Sequence, residues 1–92
     1  MAVSFEWDLR KEMTNRRKYG IDFTEGTTVF GDPLSITIAD PDHSQEEDRF
    51  VIMGLSNKRR LLTVVHTVRG RAIRLISARI ATSYERKSYE EG

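Results

Sequence analysis

"RLLTVVHTVRGRAIRLISARI", residues 60–80, is the stretch on which the fold turns. Two runs rich in Val, Ile, Leu and Thr flank Arg69, Gly70 and Arg71. That connection is short enough for a β-hairpin, and glycine accepts the positive φ such a turn demands. Before it, "RFVIMGL" (49–55) reads as a strand and "SNKR" (56–59) as its turn. Successive strands with short loops predict an antiparallel meander.

Working outward, "PLSITIAD" (33–40) alternates Leu34, Ile36 and Ile38 with Ser35 and Thr37, which predicts a strand with one buried face. "DPDHSQEED" (40–48) is turn chemistry. At the N-terminus, Val3, Phe5 and Trp7 keep the period of two of a short strand. Asp8 offers an N-cap for a helix from Leu9 to about Tyr19, ended by Gly20. A second, short helix is expected from about Thr24, although Gly26 and two threonines make it poor on propensity. "ATSYERKSYEE" (81–91) suits a C-terminal helix. The expectation is one α+β domain over residues 1–92, with two N-terminal helices against an antiparallel sheet and a helix at the C-terminus. On the first helix Leu9 and Met13 share a face and are expected in the core, which turns Lys11, Asn15 and Lys18 outward.

Composition narrows the function. The chain has 92 residues, 38% hydrophobic and 32% charged, and no apolar run approaches the roughly 20 residues that span a bilayer. "MAVSFEWDLRK" lacks the apolar segment of a signal peptide, so a cytoplasmic location without membrane contact is expected. Without cysteine, disulfides, thiolate zinc sites and cysteine nucleophiles are excluded. Charge is divided along the chain: residues 20–48 hold eight acids and no Lys or Arg, while residues 58–87 hold nine Lys or Arg and one acid, Glu85. Such asymmetry points to nucleic acid at the basic part, or to neutralisation of one part by the other in the fold.

Glycine-rich phosphate loops, paired-His metal helices and nucleophile elbows do not occur in the sequence. His43 stands near Asp40, Asp42 and Glu46, where a solvated loop is favoured over a metal site, and neither a metal nor a cofactor is called for. His66 lies inside a strand just before the arginine turn, where it is either a satisfied core histidine or part of a site. Arg69, Arg71, Arg74 and Arg79 come from one hairpin, but the odd interval between Arg74 and Arg79 puts these two on opposite faces of a regular strand. A convergent pair of guanidinium groups would make a phosphate clamp.

The ordered blocks "FEWDLRK", "N..K.GIDF", "VFGDP", "DPDHSQEEDRF", "MGLS", "LLTVVHT.RG" and "RLISAR.AT..ER..Y" resemble the BrnT family of bacterial type II toxin–antitoxin modules, over residues 5–91. The block from Arg74 to Tyr89 is the most specific. The resemblance implies a RelE-like α+β fold and metal-independent ribonuclease activity that blocks translation. It also implies a BrnA-like ribbon-helix-helix antitoxin that forms a hetero-oligomer with the toxin and carries the operator-DNA contact. Lys11, Asn15 and Lys18 match the pattern "WD..K...N..K.G", which suits RNA-backbone contact. Tyr19 departs from the family, where histidine is common in "KHG"; a tyrosine there is a poorer base near neutral pH but can stack on a nucleobase.

Cleavage of RNA by its own 2′-OH needs only in-line positioning, charge stabilisation and proton transfer. On this reading Arg69 and Arg79 carry phosphate and transition-state charge, and Lys11, Asn15 and Lys18 position the backbone. His66 is the leading acid–base candidate, ahead of Glu85 and Tyr19. A non-catalytic nucleic-acid-binding protein and a structural subunit of a repressor complex are the other classes.

Overall fold

The computed structural model of the protein describes residues 3–40 and 48–92. The hairpin is present as β4 (Leu61–Arg69) and β5 (Ala72–Ile80), closed by a two-residue loop in which Gly70 has φ +59°. Around it stand β1 (Ser4–Glu6), α1 (Leu9–Tyr19), α2 (Phe23–Thr28), β2 (Ile36–Ala39), β3 (Arg49–Leu55) and α3 (Ser83–Glu91). The strand order is β1-β5-β4-β3-β2. Pairing is antiparallel from β2 to β5, whereas β1 runs parallel to β5, so the sheet is mixed rather than wholly antiparallel. Short loops revealed only the meander; β1 reaches β5 across two helices and three strands, and no local signal records its direction.

One face of the sheet holds the core. Leu62, Val64, Leu75 and Ala78 meet Ile21, Phe23, Val29 and Ile52, all at most 3% exposed. Burying each large side chain stabilises the fold by about 1.5–3 kcal/mol. The short helix α2 forms despite weak propensity because two free amides of its first turn are capped by carboxylates. Asp22 accepts from Glu25 N at 2.7 Å, and the Glu12 carboxylate, reaching across from α1, accepts from Phe23 N at 2.9 Å. Gly26 lets α2 seat closely on β5: a Cβ there would lie 3.2 Å from Leu75 Cδ2 and 3.4 Å from Ala78 Cβ, so these neighbours would have to shift.

Opposite charges from the two parts of the sequence do meet. Glu25, 3% exposed, is forked by Arg60 and accepts from Ser56 Oγ, which holds its carboxyl below the usual range; the Arg60 hydrogen bonds are the main cause. This pair ties α2 to the β3–β4 turn.

Two expectations about faces are corrected. Leu9 and Met13 are 70% and 56% exposed, and the stripe of α1 that turns inward is polar, with Glu12 half-buried and Asn15 buried. On β2, Ile38 is 50% exposed, because β2 is an edge strand whose Ile36 and Ile38 lie on the side away from the main core. Among the described residues no helix is long and apolar enough to cross a membrane. His43, Asp42 and Glu46 lie outside the described residues.

Candidate functional site

The site is built on an irregularity in β5. Thr63, Val64 and Val65 face Arg79, Ala78 and Ser77, but His66 then faces Leu75, so Ile76 is an extra residue, a β-bulge. Residues directly opposite share a face. The bulge therefore shifts the parity of β5, and Arg74, opposite Thr67, lies on the same face as Arg79, opposite Thr63. The sequence expectation that these two arginines point to opposite faces is overturned by that one residue.

The outer edge of β5 is open beyond the reach of β1, which pairs only with Ala72, Ile73 and Arg74. At Ala78 the side chain of Asn15 takes the place of a strand. Its amide donates to Ala78 O at 2.7 Å and to Ile21 O at 2.9 Å, while its carbonyl accepts from Ala78 N at 3.1 Å. Asn15 is 5% exposed, so its assignment to outward RNA contact is corrected: the amide is consumed by the fold.

Between these two attachments α1 and β5 leave a cleft of about 360 Å³. Lys11, Lys18 and Tyr19 line it from the helix, together with the edge of Asn15; Ile76 and Ser77 line it from the bulge. Lys18 Nζ stands 5.2 Å from the centroid of the Tyr19 ring. Tyr19 also lies near enough to Arg79 to contribute to its electrostatics, as Arg74 does to those of Asp8. Lys11, Lys18 and Tyr19 thus share the cleft, and Arg79 lies beside it, within electrostatic reach of Tyr19.

Arg69 is not part of this group. It lies on the Arg79 face but six residues further along β4 than Thr63, Arg79's partner, a separation of roughly 20 Å at about 3.3 Å per residue. The two guanidinium groups do not converge on one phosphate.

His66 is sealed into the core at 4% exposure, with Phe30 edge-on at 4.8 Å and Phe50 stacked at 5.9 Å. Burial pushes its pKa down, so the ring is neutral and has no path to a substrate. The acid–base role expected of it is corrected to a packing role.

Glu85 is bound on every side. Arg79 forks onto it at 2.7 and 2.9 Å, Thr63 Oγ1 donates at 3.0 Å, and the Thr82 amide donates at 2.8 Å within a capping box that starts α3. The Arg79 hydrogen bonds, opposed by burial and helped by Thr82 and Thr63, lower its pKa to about 2. A carboxylate so stabilised is a weak base, and its function is to hold Arg79. Because its pKa in the folded protein lies below the ordinary 4.5, Glu85 stabilises the fold above about pH 4.5 and that stabilisation is lost as pH falls toward 2. Thermal melts of wild type and Glu85→Gln should therefore differ most above pH 5 and converge in acid. A pH-independent difference would show that the carboxylate charge is immaterial.

Comparison with known proteins bears on what this arrangement is for. The family model described as "Ribonuclease toxin, BrnT, of type II toxin-antitoxin system" matches residues 7–85. The chain belongs to the BrnT toxin family. A solved structure of the Brucella abortus ribonuclease toxin BrnT shares the fold, with a TM-score of 0.70 at 24% identity over 89% of this chain and 100% of that one. A search of curated proteins returned no match. The match by the BrnT family model ends at Glu85, so it takes in α1, the bulge and the Arg79–Glu85 pair.

Sequence reasoning missed the bulge, the Asn15 clamp and the lining residues Ile76, Ser77 and Arg10. A trace of the bulge was visible: Leu75 and Ile76 are adjacent apolar residues in a run that otherwise alternates.

Proposed function

We propose that this protein is an endoribonuclease toxin of RelE-like architecture that cleaves RNA without a metal ion and so stops translation in the cytoplasm. The observation that carries the reading is a cleft at the open edge of β5 lined by Lys11, Lys18 and Tyr19, with the ion-paired Arg79 on the same strand close enough to Tyr19 to feel its charge. Arg79 is 31% exposed and pre-oriented by Glu85, which makes it the group to meet charge developing on a phosphate. Lys11 and Lys18 attract and position the RNA backbone. The substrate's 2′-OH is the nucleophile, its attack on the adjacent phosphorus expels the 5′-oxygen, and a 2′,3′-cyclic phosphate results. A cleft rimmed by cations repels a divalent ion, which supports a route that uses side-chain charge instead. With His66 buried and Glu85 ionised, the protein's contribution is positioning and electrostatic stabilisation.

The partner is a BrnA-like ribbon-helix-helix antitoxin that places an acidic segment on the cationic cleft in a hetero-oligomer and brings operator DNA to the complex. Incubation with RNA in excess EDTA tests the activity. Cleavage is expected to persist, to leave cyclic phosphate ends and to fail on 2′-O-methyl RNA. Loss of cleavage in EDTA would overturn the metal-free route, and binding without cleavage would establish the non-catalytic alternative.

A further inference from the structure

We infer that the α1–β5 cleft is a receptor for one unpaired nucleobase, with Tyr19 as its stacking platform, so that the substrate is single-stranded RNA. The inference rests on the ribonuclease reading only in taking the nucleotide to be part of RNA. At about 360 Å³ the cleft is at the small end of ligand pockets, which run from about 300 to 1,000 Å³, and a base with its sugar fits that space; stacking on Tyr19 requires a base freed from its own duplex stack.

Its surfaces suit a base. Ile76, the bulge residue, supplies apolar area on the β5 side, and the ring of Tyr19, 38% exposed, supplies a π-face on the helix side. The Lys18 ammonium lies over one face of that ring, 5.2 Å from its centroid, and in the proposal the base stacks on the opposite face. Aromatic rings between backbone-binding cations are the recurring platform for single-stranded nucleic acid.

The polar groups indicate how selective the receptor is. Asn15 has its amide fully committed to Ile21 and Ala78, so it reads no base edge. Ser77 remains on the rim, with a hydroxyl that both donates and accepts and therefore tolerates different bases. Lys11 and Lys18 stand on either side of the Asn15 position along the helix, where they meet the phosphates flanking an inserted nucleotide. Stacking gives affinity with little sequence preference.

The test uses an uncleavable 2′-O-methyl hexanucleotide carrying one 2-aminopurine, free or annealed to its complement. Wild-type protein is expected to quench the fluorophore on binding the single strand and to bind the duplex at least tenfold more weakly. Tyr19→Ala should weaken single-strand binding about tenfold and abolish the quench, while Tyr19→Phe retains both. Equal affinity for duplex and single strand, measured on wild type and so independent of any variant's folding, overturns the proposal. So does unchanged quenching in Tyr19→Ala. Quenching together with intact natural RNA would defeat the ribonuclease reading and leave the base receptor standing; cleavage at wild-type rate and KM by Tyr19→Ala would do the reverse.

Discussion

Asn15→Ala is expected to lower stability by about 3 kcal/mol, the largest effect of any single truncation on α1. The substitution leaves three buried backbone groups without their partner: Ile21 C=O, Ala78 N–H and Ala78 C=O. Each such group costs about 1–3 kcal/mol when left unpaired, and partial entry of water brings the sum toward the lower figure. For a domain of this size the midpoint of thermal unfolding should fall by roughly 10–20 °C. Asn15→Asp keeps the acceptor for Ala78 N–H but sets a carboxylate oxygen against two carbonyls, so that variant should regain stability as pH falls and the acid becomes a donor. A melting point for Asn15→Ala within about 4 °C of wild type would show that water replaces the amide at no cost, and the clamp would lose its structural meaning.

That one side chain also shows where the sequence stops being readable. The helix boundaries were legible, because Asp8 and Gly20 are cap residues with local physical reasons and both behave so: the Asp8 carboxylate accepts from Arg10 N at 2.8 Å, and Gly20 has φ +72°. The hairpin at Gly70 was legible for the same reason. Which face of α1 turns inward was not. The helix offers only Leu9 and Met13 as an apolar stripe, and its docking is decided by an unpaired strand edge that exists only after β5 has formed. Within the site, Lys11, Lys18 and Tyr19, singled out in the sequence, do line one cleft, while Arg79 stands beside it in its pair with Glu85. Periodicity placed the lysines with Asn15, and that grouping survives because a helix fixes angular spacing regardless of which side packs. Arg74 was misplaced relative to Arg79, whereas Arg69 stands at the hairpin turn where the sequence put it. Counting parity assumes an unbroken period of two, and a single extra residue at Ile76 defeats it while leaving composition unchanged.

Arg79→Ala is expected to reduce RNA cleavage by roughly 10²–10³-fold and to relieve growth arrest, with antitoxin binding retained; the magnitude is that of removing one preorganised donor from a developing oxyanion. The truncation also strips Glu85 of its principal partner, so lost activity must be separated from lost stability. Arg79→Lys does this, because a point charge preserves neutrality beside Glu85 but lacks the planar fork. It should melt close to wild type and remain at least tenfold slower than wild type. Glu85→Gln tests the other half of the pair: with its pKa near 2 the carboxylate is not the base, so the variant should retain a wild-type pH profile above pH 5 even where its rate falls. A profile that loses its alkaline or acidic limb in Glu85→Gln would restore Glu85 to proton transfer. Arg69→Ala, roughly 20 Å away along the strands, provides the internal control and should leave the rate within a few-fold of wild type. If Arg79→Ala cleaves and arrests growth as wild type does, the catalytic charge lies elsewhere and the β5 edge is only a binding surface.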